Sequence, residues 1–156
     1  MEHIYSLDNI KELQSSILNL SSVVLAGGCF DILHPGHIAF LNAALAQGDT
    51  LIILLESDEQ IKKSKGEGRP INSQAVRAEN LISKTSATDI ILLEGSPSDR
   101  EYDKIVTLLK PAIIATTEND PYKYHKERQA GLIGASVKEV IRRLEDYSTT
   151  KILEEL

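Results

Sequence analysis

The sequence predicts a single-domain, doubly wound α/β fold: a Rossmann-like parallel sheet with helices on both faces. Three observations carry this. Helical patterns alternate with short apolar runs along the chain. Those runs are continuously apolar, as expected for strands covered on both faces. The 156 residues make one domain, since a split would leave two undersized halves. A domain of this length buries about 68–70% of its unfolded surface, so its core needs no disulfide or metal.

Residues 1–21 predict a helical segment packed on the domain. Leu7, Ile10, Leu13, Ile17 and Leu20 recur at helical spacing, with Asp8 as the cap. Val23 to Ala26 is a short run rich in β-branched residues, stopped by Gly27-Gly28. Gly36 to Ala46 is again helical and ends at Gly48; Leu51 to Leu55 is a buried strand. Ser57 to Lys63 reads as a short helix, and Ser64 to Pro70 as a polar, Gly/Pro-rich loop. A helix capped by Ser73 runs to Lys84, a strand covers Ile90 to Leu93, and a helix spans Asp99 to Leu109. Lys110-Pro111 closes it; a strand at Ala112 to Ala115 and a helix at Tyr122 to Leu132 follow. Ala135 to Arg143 fits either type, but a strand suits the alternating order better. A last helix is expected from Ser148 to the end. Strands separated by helices return parallel through right-handed crossovers. Ligands of such sheets bind beyond the strands' carboxyl ends, where strand order reverses.

Composition narrows the function. With 42% hydrophobic and 26% charged residues the chain is globular, not disordered. Seventeen basic and 23 acidic residues give a net charge of −6. A broad basic face for nucleic acid is therefore not expected, although a local basic pocket is. Cys29 is the sole cysteine, which excludes an internal disulfide and a multi-cysteine zinc module and fits a reducing compartment. The opening MEHIYSLDNI lacks the pattern of a signal peptide, and no apolar stretch is long enough to span a membrane. The expectation is a soluble, cytoplasmic protein without nucleic-acid or membrane partners.

The first loop carries the chemistry: Gly27-Gly28-Cys29-Phe30-Asp31-Ile32-Leu33-His34-Pro35-Gly36-His37. Glycines let backbone approach a ligand. Pro35 disfavours helix at His34, so the helix starts near Gly36 and His37 lies in its first turn. Two imidazoles then stand at a helix N-terminus, where free N–H groups favour an anion. That is a phosphate site with groups able to stabilise a growing charge. Two rival readings exist. The histidines could be ordinary polar loop residues, or Cys29, Asp31, His34 and His37 could hold zinc, although four ligands within nine residues demand unusual loop geometry. The pattern is neither Gly-x-Gly-x-x-Gly nor a Walker loop.

Gly28 to His37 resembles the signature of the cytidylyltransferase-like nucleotidyltransferases, with their His-x-Gly-His core. Lys62-Lys63-Ser64-Lys65-Gly66-Glu67-Gly68-Arg69-Pro70-Ile71-Asn72, followed by Arg77, is similar to the adenylyltransferase domain of bacterial ADP-heptose synthases. So is Ser148-Thr149-Thr150-Lys151-Ile152. One turn departs: where that family has a Lys-Gly-Gly-Asp-Tyr-like stretch, this chain has Thr116-Thr117-Glu118-Asn119-Asp120-Pro121-Tyr122.

The resemblance implies transfer of a nucleoside monophosphate from ATP, or CTP, to a small phosphate monoester. A phosphate oxygen attacks the α-phosphorus in line and pyrophosphate leaves, with catalysis by positioning and electrostatics. His34, His37 and Lys65 would be catalytic. Gly28, Cys29, Phe30, Asp31, Gly36, Asp120, Ser148, Thr149 and Thr150 would bind the nucleotide. Lys62 and Arg77 would bind the acceptor, Arg77 through a bidentate grip on its phosphate. Taken alone, each lysine reads equally as a solvated loop charge, Arg77 as an exposed helix arginine, and Ser148 to Thr150 as an ordinary N-cap. Arg69 is expected to fix its loop. Magnesium would accompany the triphosphate, with Asp31 as a carboxylate partner. No resident metal is expected, and the resemblance is compatible with a homodimer. Glycerol-phosphate cytidylyltransferase-like, FAD-synthetase-like and non-catalytic nucleotide-sensing roles are the alternatives.

Overall fold

The computed structural model of the chain describes residues 3–141. The elements run β1 (Ile4–Ser6), a 3-10 turn (Leu7–Asn9), α1 (Ile10–Ile17), β2 (Val23–Gly28), α2 (Pro35–Leu45), β3 (Thr50–Leu55) and α3 (Asp58–Lys65). Then come α4 (Gln74–Lys84), β4 (Asp89–Leu92), α5 (Asp99–Leu109), β5 (Ile113–Thr117), α6 (Lys123–Ile133) and β6 (Ser136–Ile141). The six strands form one sheet in the order β1-β4-β3-β2-β5-β6, and every pairing is parallel. From central β2 the chain winds outward through β3 and β4. It then returns to lay β5 on the other side of β2. Strand order reverses between β2 and β5, so the crevice above their carboxyl ends is where a ligand belongs.

Successive side chains of a strand face opposite sides of the sheet, and both sides are covered. Leu25, Ile52, Leu54 and Ile91 pack with Leu13 and Ile17 of α1 and with Ile105, Val106 and Leu109 of α5. Val24, Ala26, Leu51, Ile53 and Ile90 pack with Leu41 of α2 and with Ala78 and Leu81 of α4. All six residues of β3 are buried, which is why its apolar run is unbroken. Each large aliphatic side chain so buried contributes about 1.5–3 kcal/mol.

The internal helices obey their local signals. Ser73 caps α4 by accepting from the Val76 amide at 3.3 Å. Ser98 and Glu101 form a capping box on α5, whose bounds match the expected Asp99 to Leu109. Within the ambiguous segment, Ser136–Ile141 is a strand at the sheet edge, with Lys138 and Glu139 exposed, a common way to blunt an edge.

The N-terminus differs from expectation. Ile4–Ser6 is a strand, not part of a helix, and it pairs in register with Ile90, Ile91 and Leu92 of β4. Three residues hold no periodic signal, and the ladder with β4 decides their state. Ser6 and Asn9, rather than Asp8, make the capping box, and Leu20 lies beyond α1 and is exposed. The helix expected from Ser148 lies outside the described residues. Among those residues no helix is long and apolar enough to cross a membrane.

Candidate functional site

The loop after β2 is built around Phe30. Its ring is buried, and its backbone adopts φ +46°, a left-handed turn that strains a bulky residue. A Cβ on Gly28 would stand 2.9 Å from that ring, so the close packing requires glycine there. The turn delivers His34 to the N-terminus of α2 in an extended conformation, with Pro35 opening the helix. His34 Nδ1 accepts a hydrogen bond from the His37 amide at 3.3 Å and so caps the helix itself. In a neutral ring the proton then sits on Nε2.

The two imidazoles stack with centroids 3.6 Å apart and planes 21° apart. Phe30 meets His37 edge-on at 5.1 Å. Burial lowers the His34 pKa. Burial first, then His34 and Lys65, pull His37 down to about 3, against the opposing Ile32 backbone. Both rings are therefore neutral at pH 7 in the free protein. Neutral His34 offers its Nε2–H beside the helix dipole, whereas His37 gives its proton to the Ile32 backbone and becomes a donor at Nδ1 only once an arriving polyanion favours its protonation.

Lys65 belongs to this cluster. It ends α3, and its charge is felt by both His37 and Glu56. Lys62, expected beside it, instead pairs with Glu67 at 3.6 Å on an exposed stretch.

Asp31 corrects an expectation. Its carboxylate is buried and accepts from the Ile71 amide at 2.7 Å, the Asn72 amide at 2.8 Å and Arg69 Nε at 3.2 Å. Asn72 Nδ2 returns a bond to the Asp31 carbonyl at 2.8 Å. Asp31 thus staples residues 69–72 to the loop after β2, with its side chain out of reach of solvent. Arg69 fixes its loop as expected.

Arg77 is the second correction. Its side chain is wholly buried, at 0% exposure. Nη1 donates to the Cys29 and Glu56 carbonyls, both at 2.9 Å, Nε to the Asn72 carbonyl at 3.0 Å, and Nη2 to Asp58 Oδ1 at 2.6 Å. An arginine that reads as a phosphate clamp is a bolt beneath the site. It ties the loop after β2, the end of β3 and the 69–72 segment together and fixes the Cys29 carbonyl.

On the opposite wall, Asp120 follows β5. It accepts from Thr116 Oγ1 at 2.7 Å, from the Tyr122 amide at 2.9 Å and from Lys126 Nζ. Burial opposes its ionisation, but those hydrogen bonds outweigh it and hold the carboxyl below the usual range. Its oxygens thus shape the turn after β5.

The zinc reading of the loop fails on the same geometry. Among the described residues no group of three His, Cys, Asp or Glu side chains could hold a metal. Asp31 is spent on the 69–72 segment. Cys29 is a half-buried free thiol. Ser148, Thr149 and Thr150 lie outside the described residues.

Two residues in this region escaped the sequence reading. Glu56 directly follows β3; its amide donates to the Gly28 carbonyl at 3.0 Å. Burial raises its pKa, while Lys65, Arg77 and Lys126 pull it back. Lys126, on α6, is the other. Glu56 was detectable as a charge ending a buried strand; Lys126 carried no local signal.

The family described as cytidylyltransferase-like matches residues 25–155. The bifunctional protein HldE of Aliarcobacter butzleri is 39% identical over 113 residues, which cover 72% of this chain and 23% of that protein. HldE of Helicobacter pylori is 35% identical over 146 residues, 94% of this chain and 30% of that protein. The chain thus spans less than a third of these relatives' length. A crystal structure of the lipopolysaccharide core biosynthesis protein from Thermoplasma volcanium superposes with a TM-score of 0.61 at 25% identity, covering 78% of this chain and 95% of that one. Pantoate-beta-alanine ligase from Francisella tularensis shares the fold, with a TM-score of 0.63 at 15% identity over 98% of this chain and 73% of that one. With the stacked histidines at the head of α2, in the crevice where strand order reverses, the chain belongs to the cytidylyltransferase-like family of nucleotidyltransferases.

Proposed function

We propose that the chain transfers an adenylyl group from ATP to a small phosphate monoester such as a sugar 1-phosphate, releasing pyrophosphate. The observation that carries this is the His34–His37 stack capping α2 above the β2–β5 crevice. The acceptor oxygen forms a bond to the α-phosphorus as the bond to the bridging oxygen breaks, and both electrons leave with pyrophosphate. The chain's part is to hold two polyanions in line and meet the charge on the five-coordinate phosphorus. His34 and His37 donate N–H groups to the phosphoryl oxygens. Lys65 offsets the acceptor charge. Two unit charges about 4 Å apart repel by roughly 4 kcal/mol at an effective dielectric of 20, so such a cation is required. Gly28, Cys29, Phe30 and Gly36 bring backbone up to the phosphates, and Ser148, Thr149 and Thr150 would cradle the β- and γ-phosphates.

Magnesium enters with the triphosphate as part of the substrate. Asp31, expected as its carboxylate partner, is instead held by the Ile71 and Asn72 amides and by Arg69. ATP rather than CTP follows from the kinship with HldE and from Gly68-Arg69-Pro70-Ile71-Asn72. A cytoplasmic location and a homodimer complete the reading. Calorimetric titration with each nucleotide tests the base, and a clear CTP preference would overturn it. A pyrophosphate-release screen of heptose 1-phosphate, glycerol 3-phosphate and FMN tests the acceptor. ATP binding without release for any of them would favour a sensing role.

A further inference from the structure

We propose that Glu56 is a specificity-determining residue of the acceptor site, accepting hydrogen bonds from hydroxyls on the acceptor's non-phosphate portion. This rests on the reaction proposed above and assigns a residue to its acceptor side.

Glu56 cannot swing far from the site. Its amide is bonded to the Gly28 carbonyl at 3.0 Å. Its own carbonyl is held by Arg77 Nη1 at 2.9 Å, the same atom that grips the Cys29 carbonyl. The residue is thereby locked at the carboxyl end of β3, one strand from the phosphate loop. The register of β3 sends Ile52 and Leu54 to the face covered by α5 and α6. Glu56 continues that alternation, and accordingly senses Tyr102 of α5 and Lys126 of α6. The residue is half-buried, yet no described residue hydrogen-bonds its carboxylate.

Its oxygens are not among the buried atoms without a partner, so water meets them in the free protein, and a ligand that displaces this water must replace its hydrogen bonds. Charge decides which ligand. A phosphate group would be repelled by the carboxylate. A divalent cation or an ammonium would be repelled by Lys65, Lys126 and the buried Arg77 guanidinium. Neutral donors remain, and hydroxyl groups are the neutral donors that a phosphate-bearing metabolite carries in number. Bonds from hydroxyls to a carboxylate are charge-assisted and about twice as strong as neutral ones. Lys65, whose charge acts on both Glu56 and His37, would then meet the acceptor's phosphate between its hydroxylated end and the nucleotide.

The test is equilibrium binding, which needs no turnover. Heptose 1-phosphate, glucose 1-phosphate and glycerol 3-phosphate are titrated against propyl phosphate, which has no hydroxyl. They are titrated into the chain saturated with a non-hydrolysable ATP analogue, and into its Glu56→Gln and Glu56→Ala variants. The wild type should bind at least one hydroxylated phosphate tenfold or more tightly than propyl phosphate. Glu56→Gln should weaken that binding about tenfold and Glu56→Ala further. Propyl phosphate affinity, nucleotide affinity and thermal midpoint should stay near wild type. Equal losses for propyl phosphate, a loss of nucleotide affinity, or no wild-type preference for hydroxyls would overturn the proposal. Pyrophosphate release is measured alongside: its absence in a wild type that shows the hydroxyl preference would strike the reaction and leave the role of Glu56 standing.

Discussion

Replacing Arg77 by methionine keeps the aliphatic stem and removes the guanidinium, and the structure sets the outcome. Three backbone carbonyls, of Cys29, Glu56 and Asn72, lose their arginine donor. An acceptor left unsatisfied in a buried place costs about 1–3 kcal/mol. The fourth bond, to Asp58, counts for less, because that side chain is 51% exposed and exposed ion pairs contribute about 0–1 kcal/mol. The carbonyls therefore dominate, and the expected loss is about 3–5 kcal/mol, the range for breaking a buried charged network. At about 2–4 °C per kcal/mol for a chain of this size, the thermal midpoint falls by roughly 6–20 °C. Urea unfolding of wild type, Arg77→Met and Arg77→Lys measures it. Lysine keeps the charge without the planar fork and should fall between the two. An Arg77→Met variant within about 0.5 kcal/mol of wild type, the usual range for a neutral surface change, with a raised acceptor KM, would refute this reasoning. It would restore the phosphate-clamp reading.

Asp31→Asn replaces an acceptor of two backbone amides and Arg69 by an amide whose NH2 must face one of those donors; urea unfolding should show a loss of about 2–4 kcal/mol, on the scale of charged hydrogen bonds removed from a buried site. The histidine stack makes stability depend on pH. Between the ordinary His value of 6.5 and the folded value of about 3, the unfolded chain binds a proton that folded His37 refuses. Stability from this group is therefore complete above pH 6.5 and declines as the pH falls towards 3, by up to about 1.4 kcal/mol per pH unit. Urea midpoints at pH 7, 6 and 5 should fall more steeply in wild type than in His37→Asn; parallel curves would contradict the assignment. Ser98→Ala removes the α5 capping box and should lower stability by about 1 kcal/mol in urea unfolding.

What the sequence made legible follows from how local each signal is. Thr50–Leu55 and α5 were readable because burial and capping write themselves into consecutive residues. Ile4–Ser6 was not, because its state is set by a partner strand more than eighty residues away. The histidine pair was legible because Pro35 and the glycines fix where the helix begins. Arg77, Asp31 and Asp120 had the right residue types, but type does not tell whether a charge faces solvent or backbone. Arg77 and Asp31 turned inward because the loops after β2 and α3 present buried carbonyls and amides to them. Glu56 and Lys126 came into view only once the sheet brought α3 and α6 to the same end.

The central claim is that the stacked histidines carry nucleotidyl transfer. Pyrophosphate release from ATP, with the best acceptor phosphate, by wild type, His34→Ala and His37→Ala tests it most directly. Each variant should stay folded and bind ATP, yet turn over about 10²–10⁴-fold more slowly, the loss typical of an electrostatic or acid–base group acting in the transition state. Turnover near the wild-type rate in either folded variant would contradict the account.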